Sequence, residues 1–499
     1  MVGYLRAAVI AALFPCLAVA QDVTLTSRDG ALAIGGTLQS YDGEFFRLDS
    51  SYGPLTIDAS GVICDGPACP DLNAPKATIR LVGEADAGGA LLPPLVQAFA
   101  KSRGLIYTAP VTPDAAAILT DPTTGKVLAE ISFRALPPAE ARSELKAGHA
   151  ELMVASTTVE DLGTKAVALD ALVPIVAIDN PLPSISTIDL AKVLTGDVKN
   201  WKQIGGPDMP LVLHGLEADS DLQQALATRL GKNPAAKITH PDLRSLAEAV
   251  AKDPWALALT GRASLGPARL LPLSDSCGFP LLPSPLAVKA EDYPLTLPVY
   301  LLTPRRRLPL LAREFLEFLA LPQAQTAIAQ GGYIDRAPES QPMTADGLRL
   351  INAIQGAGAE TTLADLKRLV DLMDGADRLS LTFRFEDGTS TLTASSQENI
   401  SDLARLIAIG TFRDKQLILA GFSDGAGAAK ANFDLSQSRT DGVLAALKAA
   451  APDLTANALP HVEAFGEALP MACDETAAGR RLNRRVEVWI KPQFTEPKP

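Results

Sequence analysis

A chain of 499 residues is too long for one hydrophobic core, so several domains are expected. With 47% hydrophobic and 20% charged residues it is ordinary globular material. Its formal charge of −12 excludes the broad basic surface that nucleic acid or anionic lipid requires.

The first twenty residues, MVGYLRAAVIAALFPCLAVA, combine one positive charge at Arg6, an apolar run and a small-x-small exit at Ala18-Val19-Ala20. This predicts a secretory signal peptide over 1–20, cleaved before Gln21; its apolar part is too short to span a membrane. Cys16 follows Pro15, where a lipobox wants a small residue, so it is expected to leave with the signal. Residues 21–74 alternate apolar and polar positions between DG and YG turns, which predicts a small antiparallel β unit. Within it, Cys64 and Cys69 bracket a Gly-Pro turn and are expected to form a disulfide, as suits an exported chain. Cys277 and Cys473 either pair across domains or remain as two buried thiols. The four histidines are scattered, with no CxxC and no HxxxH, so no metal, cofactor or thiol-redox site is expected.

From 75 to 342 strands and helices alternate: ATIRLVG, ELMVAST, ALVPIVAI, PLVLHG and ALALTG read as strands, LLPPLVQAFAKSRG, LQQALATRLG and LRSLAEAVAK as helices. The pattern is α/β, with ligand sites expected at strand ends. Residues 343–377 read as an amphipathic helical linker. Residues 378–492 read βαβαβ, from LSLTFRF to RRVEVWIKP, followed by a Pro-containing tail over 493–499. The fold class is therefore multidomain α/β and α+β.

In the last unit Asp424 ends an apolar strand and Arg439 lies fifteen residues on, within a helix. An acid and a guanidinium converging on one pocket would hold a zwitterion, the acid taking an ammonium and the arginine a carboxylate. The plainer alternative is that Asp424 caps the helix and Arg439 faces solvent. Five ordered segments favour the first reading: FRFEDGTSTL, GFSDGAG, Asn432-x-x-Leu435-Ser436-x-x-Arg439, AFGEALP and GRRLNRRVEVWI. Together they resemble the OmpA-like peptidoglycan-binding domain. The resemblance implies that Asp424 takes the ammonium and Arg439 the carboxylate of diaminopimelate in the peptide stem, supported by Asn432 and one arginine of Asn483-Arg484-Arg485-Val486, taken as Arg485. Phe422 and Ser423 depart from the family pattern, and the small Gly425-Ala426 pair is expected to leave the loop loose.

The middle unit resembles phosphate-type periplasmic binding proteins. The resemblance rests on Asn180-Pro181, Gly196, Asn200-Trp201, the DPWALALTG strand and YPLTLPVYLLTP. It implies two hinged lobes, the second over about 178–280. The family's anion-binding arginine and SGT are absent; Glu217, Asp219 and Asp221 stand in that region, and a carboxylate repels a bound phosphate. The remaining candidates for ligand contact are Gly88, Ser156, Thr157 and Ser220, types that also favour caps and turns. Trp201 and Trp255 either line a cleft or pack.

The resulting expectation is a non-catalytic periplasmic protein, held to peptidoglycan near the outer membrane, that presents a solute-binding domain for a small anionic or other solute. Two alternatives remain: an anion (phosphate) receptor serving an ABC permease, and a scaffold for envelope proteins without a small ligand. Nucleic acid is not an expected partner. No nucleophile elbow or metal cluster speaks for an enzyme.

Overall fold

The computed structural model describes residues 22–28, 30–70, 76–112, 115–355, 361–386 and 389–492. The expected signal peptide and C-terminal tail lie outside the described residues.

Five antiparallel strands form the N-terminal unit, in the spatial order Gly53–Asp58, Phe45–Ser50, Ala33–Tyr41, Val23–Ser27, Val62–Asp65. Alternation puts Val23, Leu25, Tyr41, Phe46 and Leu48 into one small core. Cys64 and Cys69 are disulfide-bonded. The unit docks on the next domain through charge. Arg47, largely buried, donates to Glu151 at 2.9 Å, and Arg313 meets Glu44 at 2.5 Å.

The middle region is bilobed, as expected. One sheet runs through both lobes because the 14-residue strand Gly163–Val176 crosses between them. In the first lobe it pairs antiparallel with Thr296–Thr303, the return crossing; Leu152–Ala155, Ala77–Gly83 and Val127–Ala135 follow. In the second lobe it pairs with Ala256–Gly261, and Val212–Leu216 and Ile238–His240 lie beyond. Each lobe has its own core, with Ile79, Leu95, Phe99 and Phe315 in the first and Val173, Ile175, Leu246 and Leu257 in the second. Trp201 belongs to that second core, fully buried, with its indole N–H on the Trp255 carbonyl at 3.0 Å. Trp255 packs against the same core. Both tryptophans pack.

The C-terminal unit contains the expected βαβαβ elements, with two edge strands the sequence reading did not include. The order is Ser340–Pro342, Asp377–Arg384, Arg485–Pro492, Lys415–Phe422, His461–Ala464. The helices Ala394–Ala408 and Ala429–Ala450 pack on one face, over Val486, Val488 and Ile490. The other face, with Ile418, Ala420, Phe422 and Trp489, is covered by Ala353, Leu369 and Met373 from the helices Gly347–Gln355 and Leu363–Met373. The segment expected to be a linker is thus a second layer of this unit, because its apolar stripe has a sheet face to bury.

Candidate functional site

The first site forms where Lys415–Phe422 ends. Gly421 lets the following helix approach closely: a Cβ there would stand 2.0 Å from the Thr440 hydroxyl and 2.6 Å from the Ser436 carbonyl. That close approach buries a polar stripe of the helix, Asn432, Ser436, Arg439 and Thr440, spaced at helical intervals. Thr440 donates to the Ser436 carbonyl, and the Gly466 amide donates to the Ser436 hydroxyl at 3.1 Å. Asn432 donates to Glu467 at 2.9 Å.

Arg439 is the exception in this stripe. It is 4% exposed, its guanidinium lies 5.3 Å from the centre of the Phe385 ring, and its Nε and Nη1 have no hydrogen-bond partner. Burial, and next the nearby Arg484 charge, hold its pKa below the usual arginine range, while Asp424 opposes the shift. The Ser423 hydroxyl, one residue before Asp424, is also buried without a partner. Such orphaned donors cost stability unless something accepts from them. Asp424 is close by, receiving Arg484 Nη1 at 2.8 Å. It does not occupy the N-cap of the helix, which is Ala428, and accepts instead from the Ala426 amide in the loop at 3.3 Å.

Two sequence expectations need correction. Arg485 is fully buried and committed elsewhere, donating to Glu487 at 2.6 Å, to the Asn483 carbonyl at 3.0 Å and to the Leu469 carbonyl at 2.7 Å, and stacked 4.3 Å over Phe422. Strand parity explains this: Arg485, Glu487 and Trp489 share the face under the covering helices, so Arg484 is the arginine left beside Asp424. Nor is the Gly425-Ala426 loop untied, for the Gly425 amide donates to Asp474 at 2.7 Å, and Asp474 also receives Asn483 at 2.7 Å. The sequence offered both arginines of Asn483-Arg484-Arg485-Val486 and Arg485 was taken; Phe385 and Asp474 were missed. The signal for Arg484 was the same parity.

The second site is the cleft between the lobes. Gly83, at φ +129°, passes so close to Val154 that a Cβ would meet its carbonyl at 2.1 Å, and this turn starts the helix Ala85–Ser102. The helix N-terminus, where an anion would bind, is occupied by the chain itself: Glu84 accepts from the amides of Asp86, at 2.9 Å, and Ala87. The Gly88 amide donates to the Glu84 carbonyl, and the Phe133 ring covers Gly88. Across the cleft, Asp221 is 4% exposed and receives the Ser156 amide at 2.6 Å. Its other oxygen has no partner. Of the three acids expected here only Asp221 turns inward; Glu217 and Asp219 are exposed. Ser220 caps its helix through the Gln223 amide, while Ser156 and Thr157 line a neighbouring cavity.

Electrostatics follow from this crowding of acids. Glu84 is pushed up to about 7, by burial and then by Asp86, with Asp221 adding to it against the two amides. Burial likewise raises Asp86 and Asp221. A phosphate placed here would meet carboxylates where the fold offers amides.

Residues 384–484 match the OmpA family model, and residues 140–323 match the model of a PBP superfamily domain. The chain carries an OmpA-family domain and a PBP-superfamily domain. The OmpA match spans Asp424, Asn432, Arg439 and Arg484; the PBP match spans Ser156, Thr157 and Ser220, with Glu84 and Gly88 before it.

Among curated relatives, the chain is 28% identical over 108 residues to a probable lipoprotein, YiaD, of Escherichia coli (strain K12), covering 22% of this chain and 47% of that one. It is 29% identical over 171 residues to the phosphate-binding protein PstS of Bacillus subtilis (strain 168), covering 33% and 55%. The chain thus spans about half the length of these curated relatives. Among solved structures it is similar to an ABC-type phosphate transport receptor from Vibrio cholerae, at 18% identity and a TM-score of 0.41, over 51% of this chain and 99% of that one.

The OmpA domain is tied to both PBP lobes. Asp292 receives Arg378 at 2.6 Å and Arg384 at 2.8 Å, Cys277 and Cys473 are disulfide-bonded, and Arg336, which also donates to the Ala166 carbonyl, meets Asp402 at 3.1 Å.

Proposed function

We propose that this is a non-catalytic periplasmic protein held to peptidoglycan by its OmpA domain, with the diaminopimelate of the stem peptide at Asp424 and Arg439. The observation that carries this reading is the buried Arg439 guanidinium, with two nitrogens lacking an acceptor. A carboxylate reaching that guanidinium would give it the charge-assisted hydrogen bond it lacks. Asp424 takes the ammonium, exchanging part of its contact with Arg484, and the Ser423 hydroxyl adds a donor. Wall attachment places the protein near the outer membrane.

For the PBP domain, the solute-binding reading and the reading as anion receptor of an ABC permease both meet an obstacle in the cleft. Glu84 occupies the helix terminus, and Asp221 already bridges to the opposite lobe through the Ser156 amide. This favours a second reading for that domain, a binding-protein fold serving as a scaffold toward envelope partners.

Co-sedimentation with diaminopimelate-containing sacculi tests the anchor. Asp424→Ala and Arg439→Ala are expected to leave the protein in the supernatant with circular dichroism unchanged. Variants that pellet like the parent would overturn the site.

A further inference from the structure

A cavity of about 600 Å³ lies where the OmpA domain meets both PBP lobes. Its wall includes Arg229, Glu291 and Tyr300 from the PBP side and Phe385, Glu386 and Arg481 from the OmpA side. Charges of both signs face this space without pairing with each other. Among the described residues, Arg229 makes one hydrogen bond, to the Thr296 carbonyl. Among the described residues, the Arg481 guanidinium has no ion pair or hydrogen bond, and Glu291 Oε1 is buried with no partner. Glu291 is also the one described non-glycine residue in the left-handed region, at φ +56°. It is held there by Arg384, which donates to the carbonyls of Ala290 and Glu291 and to Asp292. Backbone strain of this kind persists only where the surroundings enforce it.

Desolvation in the cavity, and next the Arg481 charge, lower the Arg229 pKa, while Tyr300 and Glu291 oppose the shift. Two guanidinia lining one space make it favourable for an anion.

The cavity adjoins the wall-binding site in two ways. Phe385 lines it and also lies under the Arg439 guanidinium. Arg481, on the helix Ala477–Asn483, is three residues before Arg484, the partner of Asp424, so one turn separates the two places.

We propose that this cavity extends the wall-binding site and takes the stem peptide beyond its diaminopimelate, Arg481 and Arg229 receiving its free carboxylates and Glu291 its amide N–H groups. The inference rests on the anchoring read above. It gives the PBP domain a part in wall recognition: the ligand lies between the two domains, and the interlobe cleft stays filled by Glu84 and Asp221.

The test is calorimetric titration of the full chain with meso-diaminopimelate and with the tetrapeptide L-Ala-γ-D-Glu-meso-diaminopimelyl-D-Ala. The parent is expected to bind the tetrapeptide at least about tenfold more tightly, the scale of one added charge-assisted contact. In Arg481→Gln, an exposed position whose change leaves the fold intact, that ratio falls to near one; in Arg439→Gln both ligands are lost. A tetrapeptide no tighter than diaminopimelate, or a ratio kept in Arg481→Gln, would overturn the cavity assignment while leaving the anchor standing. Failure of the parent to bind either ligand would overturn the anchor and the cavity together.

Discussion

Arg439 and Arg485 carry the same guanidinium and differ in what accepts from it. Every guanidinium nitrogen of Arg485 has an acceptor, and its partner Glu487 is fully buried, held well below the usual carboxylate range by Arg349, Arg378 and Arg485 against the burial that opposes it. Removing one partner of such a network strands the other charge, so Arg485→Met is expected to cost about 3–5 kcal/mol in chemical denaturation. Arg484→Met, at a partly exposed pair, should cost about 1 kcal/mol or less. Equal losses would contradict this division, and a larger loss for Arg484→Met would mean that the two arginines have been assigned the wrong way round. At this scale the sequence was informative only in part. The acid, the asparagine and the helical arginine were legible from spacing and motif, because a strand end followed by a helix fixes their order. Which arginine of Asn483-Arg484-Arg485-Val486 turns toward the loop depends on which sheet face is covered, and that cover comes from the helices Gly347–Gln355 and Leu363–Met373, far away in sequence.

Elements show the same division. The second half of the crossing strand Gly163–Val176, read as ALVPIVAI, and the terminal βαβαβ unit were visible as apolar runs punctuated by glycine and proline. The edge strands Ser340–Pro342 and His461–Ala464 were not, since three or four residues carry too little periodicity. The Ala85–Ser102 helix was legible from Leu91 onward, but its first turn was not, and Gly88 there was read as a ligand contact. In the fold the helix begins three residues earlier than that glycine, and its terminus is closed by Glu84. That closure has a pH signature. The folded Glu84 carboxyl holds its proton up to about pH 7, whereas the unfolded chain releases it near 4.5. The folded state therefore binds more protons in that window, and stability rises as pH falls from 7 toward 5, by an amount on the order of 2–3 kcal/mol. Thermal unfolding between pH 5 and 8 is expected to show this gain, and Glu84→Gln to raise Tm at pH 8 and flatten the profile. A parent whose Tm climbs from pH 5 to 8 would contradict the placement of Glu84.

At the scale of the whole molecule, the OmpA domain is fastened to both lobes by the Cys277–Cys473 disulfide, the Asp292 pair with Arg378 and Arg384, and the Arg336 contacts. Sequence left that disulfide undecided because its two cysteines lie 196 residues apart, and only the docking of two domains brings them together. A binding-protein body fastened this way has the turn at Ala290–Asp292, just ahead of the return crossing Thr296–Thr303, gripped by Arg384, which opposes the free opening and closing that solute capture by two lobes would use. Under the proposed anchoring, what the arrangement offers instead is an OmpA domain held fixed against the PBP body, with the interdomain cavity next to Phe385, the ring beside Arg439. The claim on which this rests is that Arg439 waits for a carboxylate. Diaminopimelate and lysine differ by that one group, so the most direct measurement is co-sedimentation of the unmodified protein with diaminopimelate-type and lysine-type sacculi side by side. The protein is predicted to pellet with the first and to remain in solution with the second. Equal pelleting with both would contradict the account.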